Sequence, residues 1–179
     1  MHIRPHGVPH QADIIVRARG GSPDALGCLF AEHADGLLRL AFRLTASTAD
    51  AEDIVQDVFV GLPEALRHYE ERGTFDAWLK RITVRYAFMR MRSAATRVHT
   101  SLDDAPLLRA TTPDLDARMS IDRALAQLTP NLRAVFVLHE VEGYSHIEIG
   151  TLLGIRAGTS EVRLFRARTL LRASLVDRT

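Results

Sequence analysis

Cysteine is almost missing from this 179-residue chain. Cys28 stands alone, which excludes an intrachain disulfide and a cysteine-based zinc site. A reducing compartment, the cytoplasm, is expected. Aromatic residues make up only 6%. The cores must therefore be built from Leu, Ile, Val and Ala, which suits small helical bundles better than β-sandwiches. No apolar run reaches the length of a membrane span, and Met1 to Gly20 lacks the shape of a signal peptide, so no membrane insertion is expected. Lys80 is the only lysine. Arginine carries nearly all the positive charge; it suits bidentate phosphate and base contacts, although a GC-rich genome gives the same bias. Catalytic signatures are missing too: no His-Asp-Ser constellation, HExxH, Walker loop or dinucleotide fingerprint is present. The chain is not expected to be an enzyme or to hold a cofactor. His33, His68, His139 and His146 read as surface or core residues.

What is present is segregated charge, hidden by a net charge of +1. From Leu44 to Leu66 there are five acids (Asp50, Glu52, Asp53, Asp57, Glu64) and no base. From Trp78 to Arg92 there are five bases (Lys80, Arg81, Arg85, Arg90, Arg92) and no acid. Arg156 to Arg172 carries five arginines against Glu161. The pattern predicts two nucleic-acid faces and one acidic face that meets a basic protein.

Turn chemistry divides the chain. Residues 1–11, with Pro5, Gly7 and Pro9, read as a disordered tail, and His2, His6 and His10 are not expected to share a helix. A short helix, Asp13 to Arg19, stops at Gly20 and Gly21. Ser22 caps the next, with Pro23 at its first position and Leu26, Leu29, Phe30, Leu37, Leu40, Ala41 and Leu44 at helical spacing. Asp50 opens a third helix with Ile54, Val55, Val58, Phe59 and Leu62 inward, and Pro63 is expected to kink or end it. Phe75 to Arg92 is amphipathic, with Arg81, Arg85 and Arg92 on one face and Trp78, Ile82, Tyr86 and Met89 on the other. Residues 93–116 are rich in Thr, Pro and Asp and read as a flexible linker. Beyond it Ile121, Ala124, Leu125 and Leu128 restore the helical period. Thr129-Pro130 restarts it, and Leu132 to Val141 is apolar on one face up to Gly143.

The last segment carries the clearest motif. Ser145 caps a short helix, His146 to Leu153, Gly154 turns, and Gly158-Thr159 opens a long helix. Ile147, Leu152 and Ile155 are expected to pack the two together. This is the helix-turn-helix layout, whose second helix enters the major groove. The fold expected is all-α: two small helical domains (12–92 and 117–179) joined by a flexible linker, the second ending in a helix-turn-helix.

Four stretches resemble the bacterial RNA polymerase sigma factors of the extracytoplasmic-function, two-domain type. They are Asp50 to Phe59 (DAEDIVQDVF), Phe75 to Ile82 (FDAWLKRI), Leu128 to Phe136, and Glu142 to Arg168. The resemblance implies a transcription initiation factor that docks on core RNA polymerase, recognises minus-ten and minus-thirty-five promoter elements and helps melt the DNA. It implies that Asp53, Gln56 and Asp57 meet the clamp helices of the largest polymerase subunit. It puts Tyr69, Lys80, Arg81, Arg85 and Arg92 at the minus-ten element. Thr159, Ser160, Glu161, Arg163, Arg166 and Arg168 fall at the minus-thirty-five element. An anti-sigma factor is a further partner that the resemblance admits. Arg85 and Met89 replace residues common in the family, as do Glu161 and Val162, so the family's usual minus-thirty-five preference is not assumed for this chain. The competing reading is an autonomous dimeric helix-turn-helix regulator, which leaves the acidic helix and the first basic helix without a role.

Overall fold

Ser22 stands in extended backbone and accepts from the Ala25 amide, and Pro23 follows at the first helical position. These two residues start the 23-residue helix around which the N-terminal half is built. The computed structural model describes residues 11–70, 73–98 and 116–176. The first ten residues of the expected tail, with its three histidines, and most of the expected linker lie outside the described residues; Gln11, expected in the tail, instead opens the first helix. Those that are described fold into helices α1 (Gln11–Arg19), α2 (Pro23–Thr45), α3 (Thr48–Arg67), α4 (Phe75–Val98), α5 (Asp116–Ala126), α6 (Pro130–Phe136), α7 (His146–Leu153) and α8 (Ala157–Val176). A π-helical turn, Val137–Val141, extends α6. There is no strand among the described residues.

In the first unit α1, α2, α3 and α4 pack on one another. The core stripe of α2 is Ala25, Leu29, His33, Leu37, Leu40, Ala41 and Leu44. It meets Ala51, Ile54, Val55, Val58, Leu62 and Leu66 of α3. Each fully buried leucine in such a stripe contributes about 2–5 kcal/mol relative to alanine. Ala46 takes the left-handed conformation after α2, and Ser47 caps α3 by accepting from the Asp50 amide. The third helix thus begins two residues before the Asp50 start expected. Pro63 does not end it. The helix runs on to Arg67 because Leu62 and Leu66, both fully buried, hold the last turn against the core; that packing outweighs the single hydrogen bond a proline removes.

Helix α4 also outruns its expected end, continuing six residues past Arg92 to Val98. Ser93-Ala94-Ala95 favours helix more than the Thr, Pro and Asp beyond it suggest. Its buried face is rotated from the one expected: Phe75, Leu79, Thr83, Val84 and Ala87 point inward. Trp78, Ile82 and Tyr86 flank that stripe, half-buried, and Met89 is exposed. Thr83 is tolerated inside because its hydroxyl donates to the Leu79 carbonyl at 3.0 Å.

In the second unit α8 packs on α5, α6 and α7, with Leu125, Leu128, Ala134, Val135, Leu138, Ile149, Leu153, Leu164 and Ala167 buried. Ile121, expected inside, is exposed. The two units touch: α2 meets α5 and α6, and α4 meets α7.

Candidate polymerase-docking and DNA-reading surfaces

The acidic face expected on α3 is present. Asp53, Gln56 and Asp57 are exposed, and Asp50 is half-buried. The acids have no base within their own segment, but α4 supplies one. Arg90 of α4 donates from Nε to Asp50 Oδ1 at 2.8 Å and from Nη2 to Asp53. The Arg90 hydrogen bond is the main reason the Asp50 carboxyl titrates below its ordinary value. The segments are segregated along the chain, but α4 lies across the start of α3. Glu52, Gln56 and Asp57 remain on the exposed face beyond the reach of that pair.

Beside this face runs a groove that the charge pattern did not reveal. It encloses about 590 Å³ between α2 and α3, and Phe30, Ala34, Leu38, Val55, Phe59 and Val60 line it. Phe30 and Phe59, both expected inside, form its walls with ring centroids 4.9 Å apart, edge to face. Phe30 is 50% exposed and Val60 is exposed as well. Asp35, Glu52 and Gln56 form the polar rim. A signal was available in α2: Leu26, Phe30, Ala34 and Leu38 make a second stripe at four-residue spacing, one position off the core stripe. The apolar arc is wider than one packing face needs.

The minus-ten candidates divide into buried, paired and exposed residues. Tyr69 is 7% exposed. Its ring lies 4.7 Å from Trp78 and 5.4 Å from Phe75, and His33 stacks edge-on against Phe75. Tyr69 is therefore part of an aromatic cluster beneath the start of α4, not a surface contact. Lys80 lies 3.3 Å from Asp76 and 3.0 Å from Glu142, which follows the π-helical turn. Burial opposes the Lys80 charge; the Glu142 hydrogen bond and the two carboxylates outweigh it and hold its pKa above the ordinary value. Arg81 is exposed and lies beside Tyr144. Arg85 is exposed, and the Arg92 guanidinium lies against Gly154 at the turn between α7 and α8.

These contacts put the start of α4 against the entry of the helix-turn-helix, around a small cleft lined by Asp76, Lys80, Arg81, Glu142, Tyr144 and Glu148. A second contact is stronger. Arg133, only 6% exposed, donates from Nε to the Leu44 carbonyl and from Nη2 to the Thr45 carbonyl, both at 3.0 Å. Those carbonyls are among the last in α2, without partners inside the helix and at its negative end. The arginine caps a helix of the other unit. Arg43 and Asp122 add an ion pair at 3.5 Å.

The helix-turn-helix follows its motif closely. Ser145 accepts from the Glu148 amide while the Glu148 carboxylate accepts from the Ser145 amide, a complete capping box. The Ser145 backbone hydrogen bond holds the Glu148 carboxyl below its ordinary value. Gly154 turns the chain at φ 67°. At Gly150 a Cβ would come within 2.7 Å of the Ile155 carbonyl, so only glycine lets α7 and the turn approach so closely. Ile149 and Leu153 bury between the helices, with Leu152 and Ile155 partly buried; Ile147, expected to pack, is exposed.

On α8, Thr159, Glu161 and Arg166 are exposed and Arg163 is half-buried. Ser160 is fully buried and its Oγ lies 2.9 Å from His146 Nδ1. It ties α8 to α7 and is unavailable to a base. Arg168 donates to Glu140 at 2.7 Å, and Glu140 also meets His139 at 2.7 Å. The outward crest of α8 is apolar, with Val162 and Phe165 exposed.

Two families match the chain in the order the motifs predict: Sigma-70 region 2 over residues 29–97 and Sigma-70 region 4 over residues 118–171. The RNA polymerase sigma factor CarQ of Myxococcus xanthus is 34% identical over 164 residues, spanning 89% of this chain and 94% of CarQ. The chain belongs to the extracytoplasmic-function (ECF) family of RNA polymerase sigma factors. Another ECF sigma factor, SigE of Mycolicibacterium smegmatis, is 37% identical over 152 residues. The match takes in 80% of this chain and 59% of SigE, so the chain spans about three-fifths of that relative's length. Among solved structures, CnrH in complex with the cytosolic domain of CnrY matches with a TM-score of 0.58 and 28% identity, over 94% of this chain and 99% of that one. The family comprises transcription factors, not enzymes. The sigma chain has no described helix long and apolar enough to cross a membrane.

Proposed function

We propose that the chain acts in the cytoplasm as a transcription initiation factor that docks on core RNA polymerase and directs it to promoters. The observation that carries this reading is the pairing of an acidic, groove-bearing face on one unit with a duplex-reading helix-turn-helix on the other. Neither face alone needs both units. Docking uses Asp53, Gln56 and Asp57 on α3, with the Phe30–Phe59 groove beside them. Charge complementarity steers the encounter with a basic partner surface, and apolar burial in the groove supplies affinity.

The basic face of α4, through Lys80, Arg81, Arg85 and Arg92, holds the minus-ten strand. Half-buried Trp78, backed by the buried Tyr69 and Phe75, offers a stacking surface once a base leaves the duplex. With the two units packed together, Lys80 is engaged by Glu142, and Arg81 lines the same cleft beside Tyr144. Docking must therefore part the units before α4 meets DNA. Helix α8 docks on the upstream element, with Thr159, Glu161, Arg163 and Arg166 among the residues on its accessible side. Holding two weak DNA sites on one rigid platform raises effective concentration and makes joint binding specific. The sequence likeness to sigma factors from end to end of the described units supports this reading over an autonomous dimeric regulator. An anti-sigma protein that covers the same groove fits the surface, as CnrY partners CnrH.

The test is a promoter mobility shift with the chain alone, with core polymerase alone, and with both. A specific complex is expected only with both. A specific complex with the chain alone, as a dimer on a palindrome, would overturn the proposal.

A further inference from the structure

The crest of α8 is apolar where a solvated helix would be polar. Buried Ser160, Leu164 and Ala167 set the inward face. The opposite face is therefore centred on Gly158, Val162, Phe165 and Thr169, spaced by three and four residues. Val162 is 52% exposed and Phe165 72% exposed. No described element covers them. Space is open at Gly158, where an added Cβ would meet nothing within 4 Å. Exposed Arg166 and Arg172 flank the crest, so the charge beside it suits a polyanion.

The arginines of α8 are not aimed along that crest. Arg168 is committed to Glu140 and Arg163 is half-buried on the flank. Glu161 is exposed on the other flank, and α8 has no acid in its first turn. Glu161 therefore lies beyond the reach of the helix dipole, which would otherwise explain an acid here. In the major groove guanine presents two acceptors, O6 and N7, and a carboxylate beside them is repelled. Cytosine presents an amino donor and thymine a C5 methyl group.

We infer that this chain reads its upstream promoter element chiefly through thymine methyl groups, packed against Val162 and Phe165, with Glu161 selecting cytosine over guanine beside them. The inference rests on α8 being the duplex-reading helix, and it names the base chemistry that helix takes. Arg166 and Arg172 then act on phosphates, holding the crest in the groove without discriminating bases.

The experiment uses holoenzyme assembled from the full chain and core polymerase, on a promoter recovered by run-off from genomic DNA. Each upstream thymine is replaced singly by deoxyuridine, which removes only the methyl group. Replacement at one or two positions should lower promoter affinity about fourfold, the worth of one buried methyl-sized group. Val162→Ala or Phe165→Ala should abolish the sensitivity at its own position. Both side chains are exposed, so the fold should survive, and circular dichroism checks this. Glu161→Gln should raise tolerance of guanine at the neighbouring position. If deoxyuridine is neutral at every upstream position while Arg166→Ala still weakens promoter binding, α8 reads DNA by other chemistry and the inference is overturned. If Phe165→Ala instead weakens the binding of core polymerase, the crest is a protein contact and the inference is again overturned. If neither Arg166→Ala nor any upstream base change matters, upstream reading by α8 itself fails.

Discussion

Replacing Arg133 by methionine should release the two units from each other. Methionine keeps most of the aliphatic volume and removes both donors to Leu44 and Thr45. Hydrogen bonds from a charged donor are worth about 1.5–3 kcal/mol each. Burial has already cost the guanidinium several kcal/mol, and that penalty pushes its pKa down to about 10. The variant leaves two helix-end carbonyls without a partner. The bond values are already net of desolvation, so at their lower end losing both costs about 3 kcal/mol, of which burial of the apolar methionine side chain returns up to about 1 kcal/mol, a net loss of about 2–3 kcal/mol of interface stability. At 1.4 kcal/mol per tenfold, the open-to-closed ratio should rise roughly 30- to 150-fold. Cys28 makes the assay simple, since it is exposed on α2 and the chain has no other cysteine. A second cysteine at exposed position 172 on α8 supplies the other dye site. Energy transfer between the dyes should be high in the parent and fall in Arg133→Met, with unchanged helical content by circular dichroism. Unchanged transfer with unchanged helicity would refute the claim that Arg133 latches the units.

Other outcomes follow from the same contacts. Asp57→Lys should cut affinity for core polymerase by about tenfold or more, because like charges then face each other at the interface, while the melting temperature holds. Asp53→Lys should lose polymerase binding and also some stability, since it sets a cation against Arg90; calorimetry separates the two variants. Phe30→Ala should leave thermal stability nearly unchanged, because half the side chain is already exposed, yet weaken the polymerase complex in an anisotropy titration; full affinity would remove the groove from the docking surface. Gly150→Ala should destabilise the helix-turn-helix by about 1–3 kcal/mol through the close Ile155 carbonyl, read as a drop of several degrees in thermal denaturation. Glu148 gives a pH dependence. Its folded-state pKa is depressed, so its contribution is present above the ordinary value of 4.5 and is lost as pH falls through the depressed value. Glu148→Gln should flatten that acid loss in a circular dichroism titration.

Much of this architecture is legible in the chain because local chemistry and packing agree. Ser22-Pro23, Ser145 and Gly154 mark helix ends by mechanisms that need no tertiary partner. Pro63 shows the reverse case, where two buried leucines override a local rule. The site was less legible. Charge segregation located the α3, α4 and α8 faces, but linear spacing cannot say which charges tertiary contacts consume. Arg90, Lys80 and Arg168 are each taken up by an acid distant in sequence. Ser160 reads as a recognition residue by position and turns out buried, because its hydroxyl finds His146. The groove went unread because Phe30 and Phe59 fit a core stripe equally well by periodicity. The closed packing depends on Arg133, which no motif singles out.

The most direct measurement is run-off transcription by purified bacterial core polymerase on fragmented DNA from the chain's own genome, with and without the chain. Discrete new transcripts that require the chain and vanish with Asp57→Lys are expected. Transcripts that are the same with and without the chain, while it protects duplex DNA alone, would contradict that expectation.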